Sequence, residues 1–227
     1  MKKLLYLLFS SIILLALVLT GCTNLDVVAK GAQTSFEGFA NKLGAKFTFD
    51  AVNKAWVMHS PNDEHFFITI DSAIGTADVG LEFSAEPFIA AGLDVAKLPA
   101  NYSYNIGENT ITIIANLGNK TFSKKAVNSP QEAFAELLKA YRSSVGYHTA
   151  LDHYGVDFGD GNMFEWANNL KTNDKDIVFV LNPTPFIQAG VDPTKIEGWA
   201  FLKVPVMDAT GKPIQVDKIL KPYDIVK

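Results

Sequence analysis

An eleven-residue segment occurs twice in this chain of 227 residues, at a fixed separation. Residues 87–97 (PFIAAGLDVAK) return as residues 185–195 (PFIQAGVDPTK), an offset of 98, and seven of the eleven positions are identical. Unrelated segments almost never match this well without a gap. The repeat therefore predicts a chain built from two related halves.

Each copy of the segment follows an apolar run, residues 79–83 or 177–181, which is typical of a buried strand. In the first copy, Pro87 suits the first turn of a helix and Gly92 suits its end. Asp94 can then cap a second short turn. The second copy repeats these residues, so each half should contain a strand, a very short helix and a capped turn.

Three four-residue patterns of the capping-box type predict further helices. Residues 34–37 (TSFE) predict a short helix that ends at Gly44, and residues 129–132 (SPQE) predict a longer amphipathic helix that continues to Gly146. Residues 162–165 (NMFE) resemble a third capped start. Its apolar helix face would consist of Met163, Trp166, Ala167 and Leu170.

Strand patterns fill most of the remaining chain. Residues 56–59 and 66–70 form a candidate hairpin, and residues 110–115 and 120–124 alternate between apolar and polar side chains. Residues 199–206 and 213–216 predict a final hairpin, followed by an extended tail.

The predicted fold class is α+β, with two pseudo-repeats of mainly antiparallel strands and short helices, joined by one longer amphipathic helix. The boundaries are residues 34–125 for the first half, 126–146 for the connecting helix and 147–227 for the second half. No linker rich in Pro, Gly or Ser separates the halves, so they should pack as one globular unit.

The first 21 residues have the organisation of a secretory signal peptide. Lys2 and Lys3 precede an apolar stretch at residues 4–17, which is short for a helix that spans a bilayer, and small residues follow. This organisation predicts export and removal of residues 1–21.

Residues 19–22 (LTGC) resemble the lipobox of bacterial lipoproteins. The resemblance implies diacylglyceryl transfer to the Cys22 sulfur, cleavage after Gly21 and acylation of the new amino terminus. Two or three acyl chains hold a protein firmly on a membrane, and residues 22–33 would be the lipidated tether. Because Thr23 and not Asp follows Cys22, the resemblance implies the outer membrane in a cell with two membranes, and otherwise the cell membrane.

Composition excludes several functions. Cys22 is the only cysteine, so the body of the protein has no thiol for a disulfide, a metal thiolate or a nucleophile. Without residues 1–21 the chain has 18 basic and 24 acidic residues, a formal charge of −6, and Arg142 is its only arginine. Nucleic acid is therefore a poor candidate partner, since the arginine forks that bind phosphates and guanines with two hydrogen bonds are almost absent.

All four histidines lie in two hairpin-like regions. His59 and His65 belong to the first hairpin, and if residues 148–152 are helical, His148 and Asp152 share one face beside His153. Imidazole and carboxylate groups are ligands for zinc, copper or iron. The offset of 98 relates the two groups by the repeat, so they would occupy equivalent places in the two halves and not obviously meet at one metal site. The alternative is that these are surface or capping histidines.

A second candidate for a cation site is the glycine-rich segment 157–165. Its oxygen-bearing side chains, which suit a hard cation such as calcium, are those of Asp157, Asp160, Asn162 and Glu165. The spacing differs from that of an EF-hand loop, and a glycine turn followed by a helix cap explains the same residues. Apart from a divalent metal at one of these two places, no cofactor is predicted.

Two further alternatives stay open. A duplicated ligand site could use Asp94 and Lys97 with Asp192 and Lys195, although capping accounts for both aspartates. A cleft between the halves for a sugar or peptide could be lined by Trp56, Tyr102, Tyr104, Tyr154, Trp166 and Trp199, which could equally belong to the core.

The sequence thus predicts a lipid-anchored, extracytoplasmic binding or interaction module of the bacterial cell envelope, with an unidentified small-molecule or protein ligand. Motifs of hydrolases, metalloproteases and phosphate-binding loops are absent, which favours a binding module over an enzyme. The alternatives are a metal-capturing lipoprotein that uses the four histidines, and a hydrolase whose carboxylate pair is assembled only in space.

Overall fold

The structure is a computed structural model that describes residues 21–43, 47–60, 64–71, 76–116, 128–140, 145–148, 152–169, 176–207, 210 and 212–223. The helices are α1 (Gly21–Leu43), α2 (Glu86–Ala90), α3 (Pro130–Ala140) and α4 (Thr184–Gln188). The strands of the first half are β1 (Phe47–Asp50), β2 (Ala55–His59), β3 (His65–Asp71), β4 (Thr76–Ser84), β5 (Tyr102–Asn105) and β6 (Thr110–Asn116). Those of the second half are β7 (Val145–His148), β8 (His153–Asp157), β9 (Met163–Ala167), β10 (Ile177–Leu181), β11 (Ala200–Met207) and β12 (Pro213–Tyr223).

The strands form two antiparallel sheets of the same topology. Sheet one has the order β1-β2-β3-β4-β6-β5, and sheet two has the order β7-β8-β9-β10-β12-β11. Strands β1 and β7, and likewise β2 and β8, begin and end at positions that differ by 98. The predicted α+β fold with two pseudo-repeats is confirmed, and the predicted segment at 120–124 lies outside the described residues.

Helix α1 is longer than the sequence predicts. It already includes residues 22–33, which the prediction assigned to a tether, and the predicted start at residue 34 is wrong. Val28, Ala32 and Phe36 recur at intervals of four, so one apolar stripe continues across the predicted boundary. Thr34, the predicted cap, lies inside the helix, and the neighbouring Ser35 Oγ accepts a hydrogen bond from Trp166 Nε1 at 3.2 Å. Among the described residues, no helix combines the length and apolarity that crossing a bilayer requires.

Helix α3 starts where its capping box predicts, and the Glu132 amide donates to Ser129 Oγ at 3.1 Å. Its predicted continuation to Gly146 is wrong, because residues 145–148 form strand β7 and pair with β8. Residues 130–140 lie at the offset of 98 from residues 32–42 of α1. The helix that joins the halves therefore has a counterpart in the first half, and each repeat consists of a helix followed by six strands.

Two predictions near the end of the chain are corrected by sheet two. Residues 163–167 are not helical but form β9, between β8 and β10, and all five are buried. A central strand with both faces covered has no alternating pattern, so its apolar residues could be read as a helix face. The final hairpin is confirmed, but the predicted tail continues β12 through Tyr223, which pairs with β10.

The two halves pack around a pseudo-twofold axis. Three pairs of phenylalanines at the offset of 98 contact each other across this axis, with ring centroids 3.7, 4.2 and 4.8 Å apart: Phe36 with Phe134, Phe66 with Phe164, and Phe88 with Phe186. All six are essentially inaccessible to solvent. A residue that touches its own equivalent must lie on the symmetry axis, so these pairs define an isologous interface within one chain.

The repeated segment lies on the same axis. The Asp94 amide donates to Ala189 O at 2.8 Å, and the equivalent Asp192 amide donates to Ala91 O at 2.9 Å. Gly92 and Gly190 have φ of +106° and +99°, and a Cβ on either would lie within 2.9 Å of the carbonyl oxygen of the other. Only glycine satisfies both the conformation and the close approach.

The caps predicted within this segment are confirmed. Asp94 accepts a hydrogen bond from the Ala96 amide at 3.2 Å and pairs with Lys97 at 2.9 Å. Asp192 accepts from the Thr194 amide at 3.1 Å and pairs with Lys195 at 2.9 Å. The two short 3-10 turns, Val95–Lys97 and Pro193–Lys195, therefore account for all four residues of the suggested duplicated ligand site.

A buried ion pair also joins the halves. Glu64, at the start of β3, pairs with Lys221 of β12, and their side chains are 3% and 14% exposed. Ser60 Oγ donates to Glu64 Oε2 at 2.9 Å, and the Lys221 Nζ lies 5.3 Å from the Trp199 ring centroid. The pair is thus enclosed by hydrogen-bonding and aromatic neighbours.

Candidate functional site

The outer face of sheet one, on the side away from the core, forms an open groove of about 490 Å³. We call it the sheet-one groove. Its lining residues are Thr48, Asp50, Asn53, Ala55, Val57, His59, His65, Phe67, Thr69, Asp78, Glu82, Glu108 and Ile114.

The same face of sheet two is filled. Met163, Val178 and Val180 pack there with Val204 and Leu220 in a second apolar cluster, and all five are buried. Val204 and Leu220 belong to the β11-β12 hairpin, in which β12 pairs with β10 and so continues sheet two at this side.

The corresponding hairpins of the two halves differ in length. Leu81 pairs with Ile113 in sheet one, whereas Phe179, its equivalent at the offset of 98, pairs with Lys221. The offset in the last strand is therefore 108 (221 − 113), so the second half contains ten more residues before this pairing.

The floor of the groove is centred on Phe67. A Cβ on Gly80 would lie 2.2 Å from Phe67 Cζ, so the Phe67 ring lies directly over the Gly80 backbone. Asp78 and Glu82 are two residues before and after Gly80 on β4, so their side chains point to the same face as the ring. An aromatic ring thus lies between two carboxylates.

One end of the groove carries the first histidine pair. His59 and His65 are directly opposite each other in β2 and β3, with ring centroids 4.3 Å apart. His65 Nδ1 lies 3.6 Å from Glu82 Oε1, and His59 Nε2 shares a hydrogen bond of 2.8 Å with Thr48 Oγ1. The hydrogen bond from His65 lowers the pKa of Glu82.

The four carboxylates of the groove differ in their partners. Asp50 holds the β1-β2 turn by accepting from the Val52 and Asn53 amides, and Glu108 accepts from Asn105 Nδ2 at 2.8 Å. Glu82 accepts from Thr112 Oγ1 at 3.1 Å in addition to its contact with His65.

Asp78 is different, because its Oδ1 is inaccessible to solvent and has no hydrogen-bond partner among the residues that the structure describes. Burial raises the pKa of Asp78, since desolvation disfavours the charged form. The Asp78 side chain as a whole is only partly buried, so Asp78 is the carboxylate of the groove whose hydrogen-bonding capacity is not used. It is four residues from Glu82 on one strand, about 13 Å by strand rise, which is wider than the pairs of glycoside hydrolases.

The predicted metal ligands of the second half lie in sheet two. His148 and His153 are opposite each other in β7 and β8, so the helical arrangement of His148 and Asp152 is wrong. The Asp152 carboxylate accepts hydrogen bonds from Tyr147 Oη at 2.6 Å, Asn168 Nδ2 at 2.9 Å and Asn169 Nδ2 at 3.2 Å. Within the described part of the chain, no three His, Cys, Asp or Glu side chains are placed to hold a metal ion.

The predicted cation loop forms the β8-β9 turn. Asp157 accepts from the Gly159 amide at 2.8 Å, and Asp160 has φ of +54°. Asn162 Nδ2 donates to Tyr102 Oη of the first half at 3.1 Å, and its Oδ1 accepts from the Asn182 amide at 3.0 Å. Turn formation and contact between the halves thus account for Asp157 and Asn162.

The fourth residue of that loop, Glu165, is 7% exposed on the filled face of sheet two. Burial raises its pKa to about 7, and Lys218 opposes the shift. Its Oε2 lies 4.0 Å from His153 Nδ1 of β8. The Lys218 Nζ donates to Gly161 O at 2.6 Å, and burial lowers its pKa.

The suggested aromatic cleft between the halves does not form. Tyr102 and Trp166 are buried in the shared core, and Trp56, Tyr104, Tyr154 and Trp199 pack against it. Tyr154 also lines a cavity of about 590 Å³ beneath α1, together with Lys30, Lys42 and Phe39.

Phe67, Gly80, Asp78 and Glu82 were not candidates from sequence. The available signal was the run from Asp78 to Glu82, in which Asp, Gly and Glu alternate with Val79 and Leu81. That alternation predicts a strand with one polar face, but not that the face is left open.

The chain matches no family model, curated protein or solved structure with which it was compared.

Proposed function

We propose that this protein is a lipid-anchored binding module of the bacterial cell envelope, and that the sheet-one groove is its ligand site. The observation that carries the proposal is the contrast between the two repeats. In the second half this face carries a buried apolar cluster, whereas in the first half it is an open groove over Phe67 and Asp78. Concave sites with an apolar floor and a few polar groups are typical of ligand-binding proteins.

The anchoring part of the proposal rests on residues 19–22 and on the apolar stretch before them. Cys22 lies in the first turn of α1, and Ala32 in the same helix is already fully buried. At 1.5 Å per residue, the ten intervening residues span about 15 Å. An acylated Cys22 would therefore hold the body close to the bilayer, in the outer membrane of a cell with two membranes or otherwise in the cell membrane.

Replacing Cys22 by serine is expected to move the full chain from the membrane fraction to the soluble extracytoplasmic fraction, because the acceptor sulfur is lost. The folded body should be unaffected, with an unchanged melting temperature by circular dichroism. A matched Ser35→Cys variant of the Cys22→Ser chain should stay soluble, since that sulfur is outside the lipobox. Retention of Cys22→Ser in the membrane fraction would contradict the anchoring proposal.

Blocking the groove is expected to remove a bound ligand. Native mass spectrometry of the full chain, purified from its own membranes, should detect a non-covalent adduct that is absent from Thr69→Trp, in which an indole occupies the groove. Gln215→Trp, at an exposed position of β12 in the second half, is the matched control and should keep the adduct. An adduct that is equally abundant in all three proteins would place the ligand elsewhere.

A further inference from the structure

We infer that the ligand of the sheet-one groove is an organic cation, an ammonium or guanidinium group carried on an apolar body. This inference rests on the proposed function of the groove and specifies the chemical class that it accepts. Three features of the groove point to an organic cation: the negative charge of its lining, the unpaired carboxylate oxygen of Asp78 and the Phe67 ring on its floor.

The charge of the lining is one-sided. Asp50, Asp78, Glu82 and Glu108 line the groove, and none of the described lining residues is lysine or arginine. Lysines are present on other surfaces of the protein, for example Lys30 and Lys42 beside the cavity beneath α1. Carboxylates without cationic partners in a concave site concentrate positively charged ligands.

Asp78 is the anchor for such a cation. Its buried Oδ1 has no partner in the described structure, and an unpaired polar group that is shielded from water costs free energy. Rotation of the partly buried Asp78 side chain would turn Oδ1 toward the groove, where a ligand N–H group would supply the missing hydrogen bond and favour the ionised form. A neutral donor would supply the hydrogen bond without the charge attraction, and an anion would be repelled, so a cation is favoured over both.

Phe67 supplies the second contact. Its ring lies over Gly80, between Asp78 and Glu82 on the same face of the sheet. A cation within about 6 Å of an aromatic centroid is attracted by the negative face of the ring. Val57 and Ile114 line the groove beside the ring and provide apolar contact for the body of the ligand. A groove of about 490 Å³ has the size of a small-molecule site.

The test uses three benzene derivatives of similar size and different charge, titrated into the full chain by isothermal calorimetry at pH 7. Benzylammonium is expected to bind about tenfold more tightly than benzyl alcohol, and benzoate is expected to bind least. Asp78→Asn should reduce the affinity for benzylammonium about tenfold, and Phe67→Leu should reduce it several-fold. Asp78→Asn should fold, because it removes a charge that burial penalises.

The matched control is Asp217→Asn, which removes a carboxylate paired with Lys203 on the surface of the second half and should leave the affinity unchanged. Equal affinity for benzylammonium and benzyl alcohol, or an unchanged affinity in Asp78→Asn, would overturn the inference. If benzyl alcohol or benzoate binds more tightly and Thr69→Trp blocks it, the groove is a site but not one for cations. The absence of benzylammonium binding also overturns the inference, and the adduct experiment then decides the proposed function separately.

Discussion

Replacing Lys221 by methionine is expected to lower the free energy of unfolding by about 3–5 kcal/mol. The substitution keeps the length of the side chain but leaves the Glu64 carboxylate buried without its cation. A solitary buried charge is far more costly than the loss of the pair's own attraction would suggest. Urea unfolding monitored by circular dichroism measures the change.

Lys203→Met is the matched control, because Lys203 forms a 2.9 Å pair with Asp217 on the neighbouring strands β11 and β12, where the side chains are 69% and 39% exposed. Exposed pairs contribute about 0–1 kcal/mol, so this variant should be nearly as stable as the parent. The double variant Glu64→Leu and Lys221→Met should recover much of the lost stability. Equal losses for Lys221→Met and Lys203→Met would show that the buried pair has no special role.

Phe66→Ala or Phe164→Ala, which truncates one ring of an axial pair, is expected to lower the free energy of unfolding by about 3–5 kcal/mol. The reason is that each ring is fully buried against the other. The loss in the double variant should be smaller than the sum of the two single losses, since the second truncation removes a ring whose partner is already absent. Leucine variants, which cost less, allow the same cycle if an alanine variant does not fold.

Val79→Ala with Ile177→Val is the control cycle. These residues are also fully buried at the offset of 98, but they form no ring stack. Their losses should add, whereas the Phe66 and Phe164 variants should show a coupling of about 0.5–3 kcal/mol. Additivity in both cycles would contradict the assignment of Phe66 and Phe164 to the axis.

Much of the fold could be predicted because local signals and the repeat agreed. The strand, proline, glycine and capping aspartate of each eleven-residue segment depend on short-range chemistry, and each element formed as predicted. The helix predicted over residues 163–167 is wrong, because a strand covered on both faces lacks the alternating pattern that identifies strands in a sequence. The capping pattern at residues 34–37 predicts a later start for α1 than the structure shows, because the apolar stripe through Val28 and Ala32 continues the helix toward its N-terminus.

The candidate site is harder to predict from the sequence, because it depends on which face of a sheet is left uncovered. Asp78 and Phe67 are ordinary strand residues in sequence, and only the comparison of two hairpins of different length shows that their face is open. The four histidines are easily noticed in the sequence, but they belong to two different sheets. His59 and His65 are paired in sheet one and line the groove, whereas His148 and His153 are paired in sheet two.

The axial contacts limit how the two copies can diverge. Phe36, Phe66 and Phe88 each have their own duplicate as a neighbour, so a substitution acquired by one copy meets an unchanged counterpart in the other. Mutational drift is therefore penalised along the axis and tolerated on the two outer faces. This accounts for the identity of Phe88, Ala91 and Gly92 with their equivalents in the second copy, while the outer faces of the two sheets differ.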